Sequence, residues 1–144
     1  MPAEQNYSNH TRWYPLFHFV LVPLLVLNLL SHLVRYFMAP SWNLFFWVLL
    51  SIMLILMALA ARLMALKAQD RVIRLEERLR HHELLTGELL ARSAGLTPGQ
   101  IIALRFASDA ELPGLVERTL SGEFSKNKEI KMAIKDWRAD YHRV

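Results

Sequence analysis

Two long apolar runs, separated by a short turn, constrain this chain more than any other feature of its sequence. Residues 16–34 contain 19 consecutive positions without a formal charge, and residues 44–61 contain 18 more. A helix needs roughly 20 apolar residues to cross the core of a bilayer, and about 18 already make a candidate span. We therefore expect a transmembrane helical hairpin over residues 16–66, with spans at about 16–37 and 43–66. For either run alone, the competing interpretation is a core helix of a soluble protein.

The hairpin divides the chain into three parts: a polar N-terminal segment (residues 1–15), the hairpin itself (16–66) and a helical domain (67–144). Basic residues are frequent directly after the second run, whereas the turn at residues 38–42 carries none. Because lysine and arginine favour the cytoplasmic side of a span, the helical domain is expected in the cytoplasm. Two spans return the N-terminus to the same side, so both termini are predicted to be cytoplasmic.

The second span is predicted to continue into water as one helix, since a heptad pattern of small and then larger apolar residues runs through both media. This helix should extend from Asn43 to about Leu85, with Gly87 as its terminator. A connector and three shorter helices are expected to follow, at residues 88–95, 98–107, 108–120 and 126–141. The predicted fold class is all-α: a two-helix transmembrane hairpin, with its second helix extended into the cytoplasm, and a small cytoplasmic helical domain.

An apolar stripe marks the aqueous part of this long helix. It consists of three residues at heptad positions a and d: Val72, Leu75 and Leu79. In a parallel two-stranded coil, Arg71 at position g would meet Glu76 at position e of the other helix, and Arg78 would meet Glu83. Two interpretations stay open: the stripe is the seam of a homodimer, or it packs against the chain's own C-terminal helices.

A polar face runs along the first span. It contains His18, Asn28, His32 and Arg35, at steps that place them on one side of a helix. Such a face should turn away from lipid, and hydrogen bonds to a neighbouring helix account for it. An alternative is that His18 and His32, roughly 21 Å apart along the helix, are axial ligands of two b-type haems in a homodimer. Pro23 also predicts a kink in this span.

The sequence offers little support for catalysis or for nucleic-acid binding. It has no cysteine, no nucleophile–base pair at a telling spacing and no metal-ligand cluster, because His81 and His82 are adjacent and point to different helical faces. From residue 67 onward, 14 basic residues stand against 12 acidic ones, which is too even for a nucleic-acid footprint. We predict a non-enzymatic protein with no resident cofactor and no bound metal.

Several stretches resemble a family of small two-span bacterial membrane proteins of unknown function. They are residues 9–12 with 17–20, 69–76, 103–109 and 136–144. The resemblance covers nearly the whole chain and implies a bacterial inner-membrane location without a known activity. Some relatives carry the label of a transporter permease. With two spans, no Walker-type loop and no pair of broken helices, this sequence does not support that label.

The function predicted from the sequence is that of an accessory or assembly subunit. It would lie in the lipid bilayer and bind a protein partner, or a second copy of itself, through its cytoplasmic helices. The haem protein described above is one alternative. A third is a membrane-surface organiser whose last helix contacts anionic lipid through its basic residues: Lys128, Lys131, Lys135 and Arg138.

Overall fold

The structure, a computed structural model, describes residues 6–9 and 13–140. Within these residues the chain is all-α, as predicted, and its single β pairing is an isolated bridge between Ala107 and Trp137. Part of the predicted polar segment 1–15 and all of residues 141–144 lie outside the described residues. Six α-helices follow one another along the described chain: α1 (Val22–Met38), α2 (Trp42–Leu84), α3 (Gly87–Ser93), α4 (Pro98–Leu104), α5 (Leu112–Leu120) and α6 (Asn127–Ala133).

Between residues 13 and 140 the chain forms two compact units, Trp13–Lys67 and residues 68–140. We call the first the apolar hairpin and the second the helical domain. The continuous second helix is confirmed, because α2 runs without a break from Trp42 to Leu84. Gly87 then adopts a positive φ of 55°, a conformation that glycine reaches without steric cost.

The first apolar segment opens with a π-helix, Leu16–Leu21, that leads directly into α1. The N–H of Val22 donates to the carbonyl of Phe17, five residues earlier. Proline has no N–H and crowds the carbonyl four positions before it in an α-helix. The wider turn ahead of Pro23 accommodates this clash, and the kink expected at this proline stays a prediction.

Side-chain contacts join the two helices of the apolar hairpin at three levels. Asn28 Nδ2 donates to Ser51 Oγ at 2.8 Å, and the rings of His32 and Trp47 stack with 5.6 Å between their centroids. At the opposite end from the turn, the guanidinium of Arg62 lies 5.7 Å from the ring centre of Phe17. The residue numbers of the contacts rise along the first segment (17, 28, 32) and fall along α2 (62, 51, 47). This is the order of contacts in an antiparallel pair.

Both helices of the hairpin are long and apolar enough to cross a membrane: Leu16–Met38 and the first part of Trp42–Leu84. Their most apolar windows are almost entirely exposed, with 0% and 6% of the residues buried. A core helix of a soluble protein would be covered by its own chain instead. The exposed apolar surface is what a helix facing hydrocarbon requires.

The helical domain has a conventional hydrophobic core. Thr97 caps helix α4: its hydroxyl accepts from the N–H of Gln100, and the Gln100 side chain accepts from the N–H of Thr97, which together form a capping box. The core comes from α4, α5, α6 and the segments beside them. Its largest fully buried side chains are Phe106, Leu104, Leu112, Ile130 and Val116.

The structure shortens the predicted helices 98–107 and 108–120 to α4 and α5, and it corrects two other elements more substantially. The expected connector at residues 88–95 is mostly helix α3. The last predicted helix, 126–141, ends at Ala133, and Ile134 is extended. The Glu111 carboxylate accepts from the N–H groups of Lys135 and Asp136 at 3.1 and 3.0 Å, so these two groups are not available to continue the helix.

Beyond α6 the chain pairs with the segment after α4. Ser108 N–H donates to the carbonyl of Asp136 at 3.0 Å, and Arg138 N–H donates to the carbonyl of Phe106 at 2.8 Å. The Trp137 ring lies 5.0 Å from the Phe106 ring, centre to centre. The C-terminal segment therefore closes the core as an extended strap.

Candidate functional site: an apolar stripe beside a charged cleft

Within the helical domain, α2 presents two contrasting faces. One face is buried and consists of Ile73, Glu77, Arg80 and His81, all between 3% and 7% exposed. These residues recur at the spacing of one helical side, which is how a helix contacts the body of its own domain. Charged groups on this face bond to the segments that follow α4 and α6, as described below.

The other face carries the apolar stripe. Val72, Leu75 and Leu79 are 54%, 61% and 58% exposed. The helices after α2 therefore do not cover the stripe, and the interpretation in which it packs against the chain's own C-terminal helices is wrong. The physical reason is that these segments engage the buried face of α2 through ion pairs. Large apolar side chains grouped on a surface in water mark a binding site more often than singly scattered ones.

Charges of opposite sign flank the stripe. Arg71 and Arg78 lie along one edge, and Glu76 and Glu83 along the other; all four are exposed. Among the residues that the structure describes, none of the four takes part in an ion pair. The structure thus brings the predicted stripe and its flanking charges together as one continuous surface.

Behind the acidic edge lies a buried ion-pair network. Arg80 Nη1 donates to Glu77 Oε2 at 3.1 Å, its Nε donates to Asp109 Oδ1 at 2.8 Å, and its Nη2 donates to the carbonyl of Ala107 at 2.7 Å. Arg138 Nη1 approaches the second oxygen of Glu77 at 3.5 Å. Arg80 thus uses all three of its nitrogens, which fixes α2 to the segment after α4.

Burial raises the pKa of Glu77 above its ordinary value, because desolvation disfavours the carboxylate. The charge and hydrogen bond of Arg80, followed by the charges of Arg138 and Arg105, act in the opposite direction. Three arginines thus offset part of the cost of burying Glu77, while the net direction of its pKa is upward. Removal of one of these cations would leave a buried acid incompletely compensated.

The network lines a cleft of about 580 Å³, which we call the charged cleft. Arg105 Nε pairs with Asp140 at 3.1 Å at its far side. Five acidic and three basic side chains line it: Glu76, Glu77, Glu83, Asp109 and Asp140, with Arg80, Arg105 and Arg138. The two acids in excess are Glu76 and Glu83, which are also the acidic edge of the apolar stripe.

His81 is the other titratable group on the buried face. Its pKa is lowered, first by burial and then by the positive charge of Arg80 and by neighbouring His82. The ring of His81 is therefore neutral at neutral pH. His82 is exposed, so the two adjacent histidines occupy different environments, as their positions on the helix predict.

The residues of the predicted polar face have separate surroundings. Asn28 and His32 face α2 through Ser51 and Trp47, as described above, and His32 and Arg35 line one cleft of about 580 Å³ near the turn. His18 lies at the other end of the first segment, with Nδ1 3.0 Å from the carbonyl of Tyr14. The His32–Trp47 stack within one chain gives no support to haem ligation, which stays a prediction.

Sequence analysis missed the charged cleft. In the sequence, Arg80 is one of several basic residues after the second span and Arg138 was assigned to the basic surface of the last predicted helix, whereas Glu77 and Asp109 were not singled out. A local signal for two of them exists, because Glu77 and Arg80 lie three residues apart on the side of the helix opposite the stripe. Their partners are 29 and 61 residues away, and a single sequence carries no mark of those pairings.

No curated protein and no solved structure matches this chain. One family model does, and it carries the description "Family of unknown function (DUF6526)". The match extends over residues 1–144, the full length of the chain. The resemblance noted in the sequence is thereby confirmed at the level of the family: the chain belongs to the DUF6526 family of unknown function.

Proposed function

We propose that this chain is a non-enzymatic integral membrane protein that acts as an accessory or assembly subunit. In this proposal the apolar hairpin anchors the protein in a bacterial inner membrane. The helical domain lies in the cytoplasm, as do both termini, and binds protein through the apolar stripe. The haem and lipid-organiser alternatives have less support, because His32 stacks on Trp47 and the apolar side of α6 is occupied by the core through Ile130.

The observation that carries this proposal is the exposure of the apolar stripe on a domain whose core is otherwise closed. Val72, Leu75 and Leu79 are more than half exposed, whereas Phe106, Leu104 and Val116 are fully buried. A soluble surface that keeps such residues together favours a partner that removes them from water. The flanking charges add specificity, since ions at the edge of an interface select the partner and its orientation.

Photo-crosslinking of the full chain in its own membranes tests the binding surface. A photoreactive amino acid at Leu75 should give covalent protein adducts, because this side chain would lie inside the interface. The matched control is the same amino acid at Met132, which is 60% exposed in the same domain but away from the stripe. Adducts that are absent at Leu75, or equally abundant at both positions, would contradict the proposal.

The absence of cysteine from the sequence gives a direct test of the membrane orientation. Ala39→Cys places one thiol in the turn of the hairpin, and Met132→Cys places one in the helical domain. In intact cells a membrane-impermeant maleimide should label the turn and not the domain. The reverse pattern would invert the proposed orientation, and equal labelling of both in sealed cells would argue against a membrane span between them.

A further inference from the structure

We propose that the occupant of the apolar stripe is a second copy of this chain, bound as a parallel two-stranded coil of the aqueous parts of α2. This inference rests on the proposed function, since it names the partner for the same surface. Two copies inserted in one membrane with the same topology present their α2 helices in parallel. The membrane thereby fixes the relative direction that the charge pattern of the stripe requires.

The pattern of exposure along α2 is that of one strand of a coiled coil. Val72, Leu75 and Leu79 hold positions a and d and are all exposed. The flanking positions g and e are exposed as well. The buried residues Ile73, Glu77 and Arg80 hold positions b and f, on the opposite side. The domain thus covers the outer side of the helix and leaves free the four positions that a two-stranded coil uses.

The charges beside the stripe are complementary to themselves. In a parallel coil, Arg71 of one copy meets Glu76 of the other, and Arg78 meets Glu83, so two-fold symmetry produces four contacts of opposite sign. A surface that carries both halves of its own complement fits an isologous dimer. A different partner would need a separate match to each edge.

The charged cleft shows why the acidic edge needs cations from a second copy. Its lining has an excess of two acidic side chains, Glu76 and Glu83, which form no ion pair among the described residues. The second copy would bring two arginines, Arg71 and Arg78, to that edge. The two arginines of the second copy therefore balance the two excess acids of the cleft. In the dimer, these cations lie at the rim of the cleft.

The stripe is also prepared for association. Short isolated helices are marginal in water, and a coil of about two heptads would ordinarily have to fold as it binds. Here the buried face of α2 and the ion pairs of Arg80 already hold the helix in shape. Association therefore orders few additional groups, which favours binding through a small surface.

Cysteine crosslinking in isolated membranes tests the parallel dimer. Val72→Cys and Leu79→Cys each place one thiol at an a position, where identical residues of two copies meet. Oxidation should convert both variants to a covalent dimer. Met132→Cys, exposed but away from the stripe, measures chance collision and should give several-fold less. Equal yields at all three positions, in variants with unchanged helix content, would overturn the proposal.

A charge exchange in the Leu79→Cys background sharpens the test. Arg78→Glu alone, or Glu83→Arg alone, creates two like-charge contacts and should lower the dimer yield several-fold. The two together restore opposite signs and should restore the yield, because both copies carry the exchange. Loss of dimer in both single variants and in the double variant would overturn the pairing of Arg78 with Glu83.

The two experiments separate the failure of this inference from that of the proposed function. One outcome is a protein adduct at Leu75 with the mass of another protein, together with background disulfide yields at Val72 and Leu79. This would contradict the second copy as the occupant and support the apolar stripe as an interaction surface. Absence of any adduct at Leu75 would remove both. Adducts of twice the chain mass with efficient disulfides would support both.

Discussion

The apolar hairpin and the helical domain use the same kinds of side chain in opposite ways. Phe37 in α1 is 77% exposed, whereas Phe106 in the domain is fully buried. Among residues 13–67 the one buried residue is Ser51, a polar side chain bonded to Asn28. The difference teaches which solvent each region fits: apolar groups inside and charges outside suit water, and apolar groups outside with polar groups between helices suit hydrocarbon.

The apolar stripe departs from this rule and is informative for that reason. It belongs to the region that otherwise buries its large apolar groups, yet Leu75 is as exposed as Phe46 in the hairpin, at 61%. In the hairpin, whose helices are long and apolar enough to cross a membrane, lipid would account for such exposure. In the domain, we propose that a bound protein covers the stripe.

The largest expected effect contrasts one phenylalanine from each region. Phe106→Ala should lower the free energy of unfolding of the helical domain by about 3–5 kcal/mol, because it leaves a cavity in a closed core. Phe37→Ala should leave that free energy unchanged, since its ring faces outward from the hairpin. Amide hydrogen exchange of α4 and α5 in the solubilised full chain measures both. Equal effects would break the comparison between the regions.

Within the domain, buried and exposed ion pairs should differ in the same way. Arg80→Ala removes the cation nearest to Glu77 and should destabilise the domain by about 3 kcal/mol, since a buried acid is left incompletely compensated. Arg118→Ala removes the partner of Glu123 from an exposed pair and should have little effect. Hydrogen exchange of α2 beyond Ala68 reports both. Comparable losses would show that Glu77 is less buried than the structure has it.

A smaller effect is expected for the polar contact inside the hairpin. Asn28→Leu removes the hydrogen bond to Ser51 and should weaken the association of the two helices by about 0.6 kcal/mol, the average for such bonds in membranes. Ser31→Ala is the control, because Ser31 Oγ bonds to the carbonyl of Asn28 within its own helix. Unfolding of the hairpin in mixed micelles, followed by tryptophan fluorescence, measures the difference. An equal loss in both variants would deny Asn28 its role between the helices.

The smallest effect concerns pH and distinguishes two adjacent histidines. The pKa of His81 is lowered, so the unfolded chain takes up the proton before the folded chain does. The contribution of the neutral ring to stability is complete above about pH 6.5 and is lost as the pH falls through the lowered pKa. His81→Gln should flatten this loss below about pH 6.5, and His82→Gln should not, in thermal unfolding of the full chain. Identical profiles for both variants would contradict the assignment to His81.

Local patterns predicted much of the fold. The apolar runs predicted both long helices, and the heptad pattern predicted the ends of α2 to within one or two residues. Both patterns depend only on residues that are close in sequence. The stripe and its flanking charges were also visible in the sequence. Their exposure was not, because it depends on which face of α2 the later segments occupy.

Contacts distant in sequence account for what the patterns missed. The apolar face of the last predicted helix continues past Ala133, yet the chain straightens there because Glu111 accepts the N–H groups of Lys135 and Asp136. The same holds for the charged cleft, whose arginines come from α2, the end of α4 and the C-terminal strap. Helical periodicity describes the side a residue faces and leaves its distant partner open.

The extended strap determines when, during synthesis, the helical domain can complete its fold. The bonds that join Ser108 to Asp136 and Phe106 to Arg138 need residues that the ribosome adds some 30 positions after those they meet. The hairpin contacts, in contrast, are complete once Arg62 has been made. The hairpin contacts can therefore form before the domain is complete, and in the interval the uncovered side chains of α4 and α5 are open to chaperones and proteases.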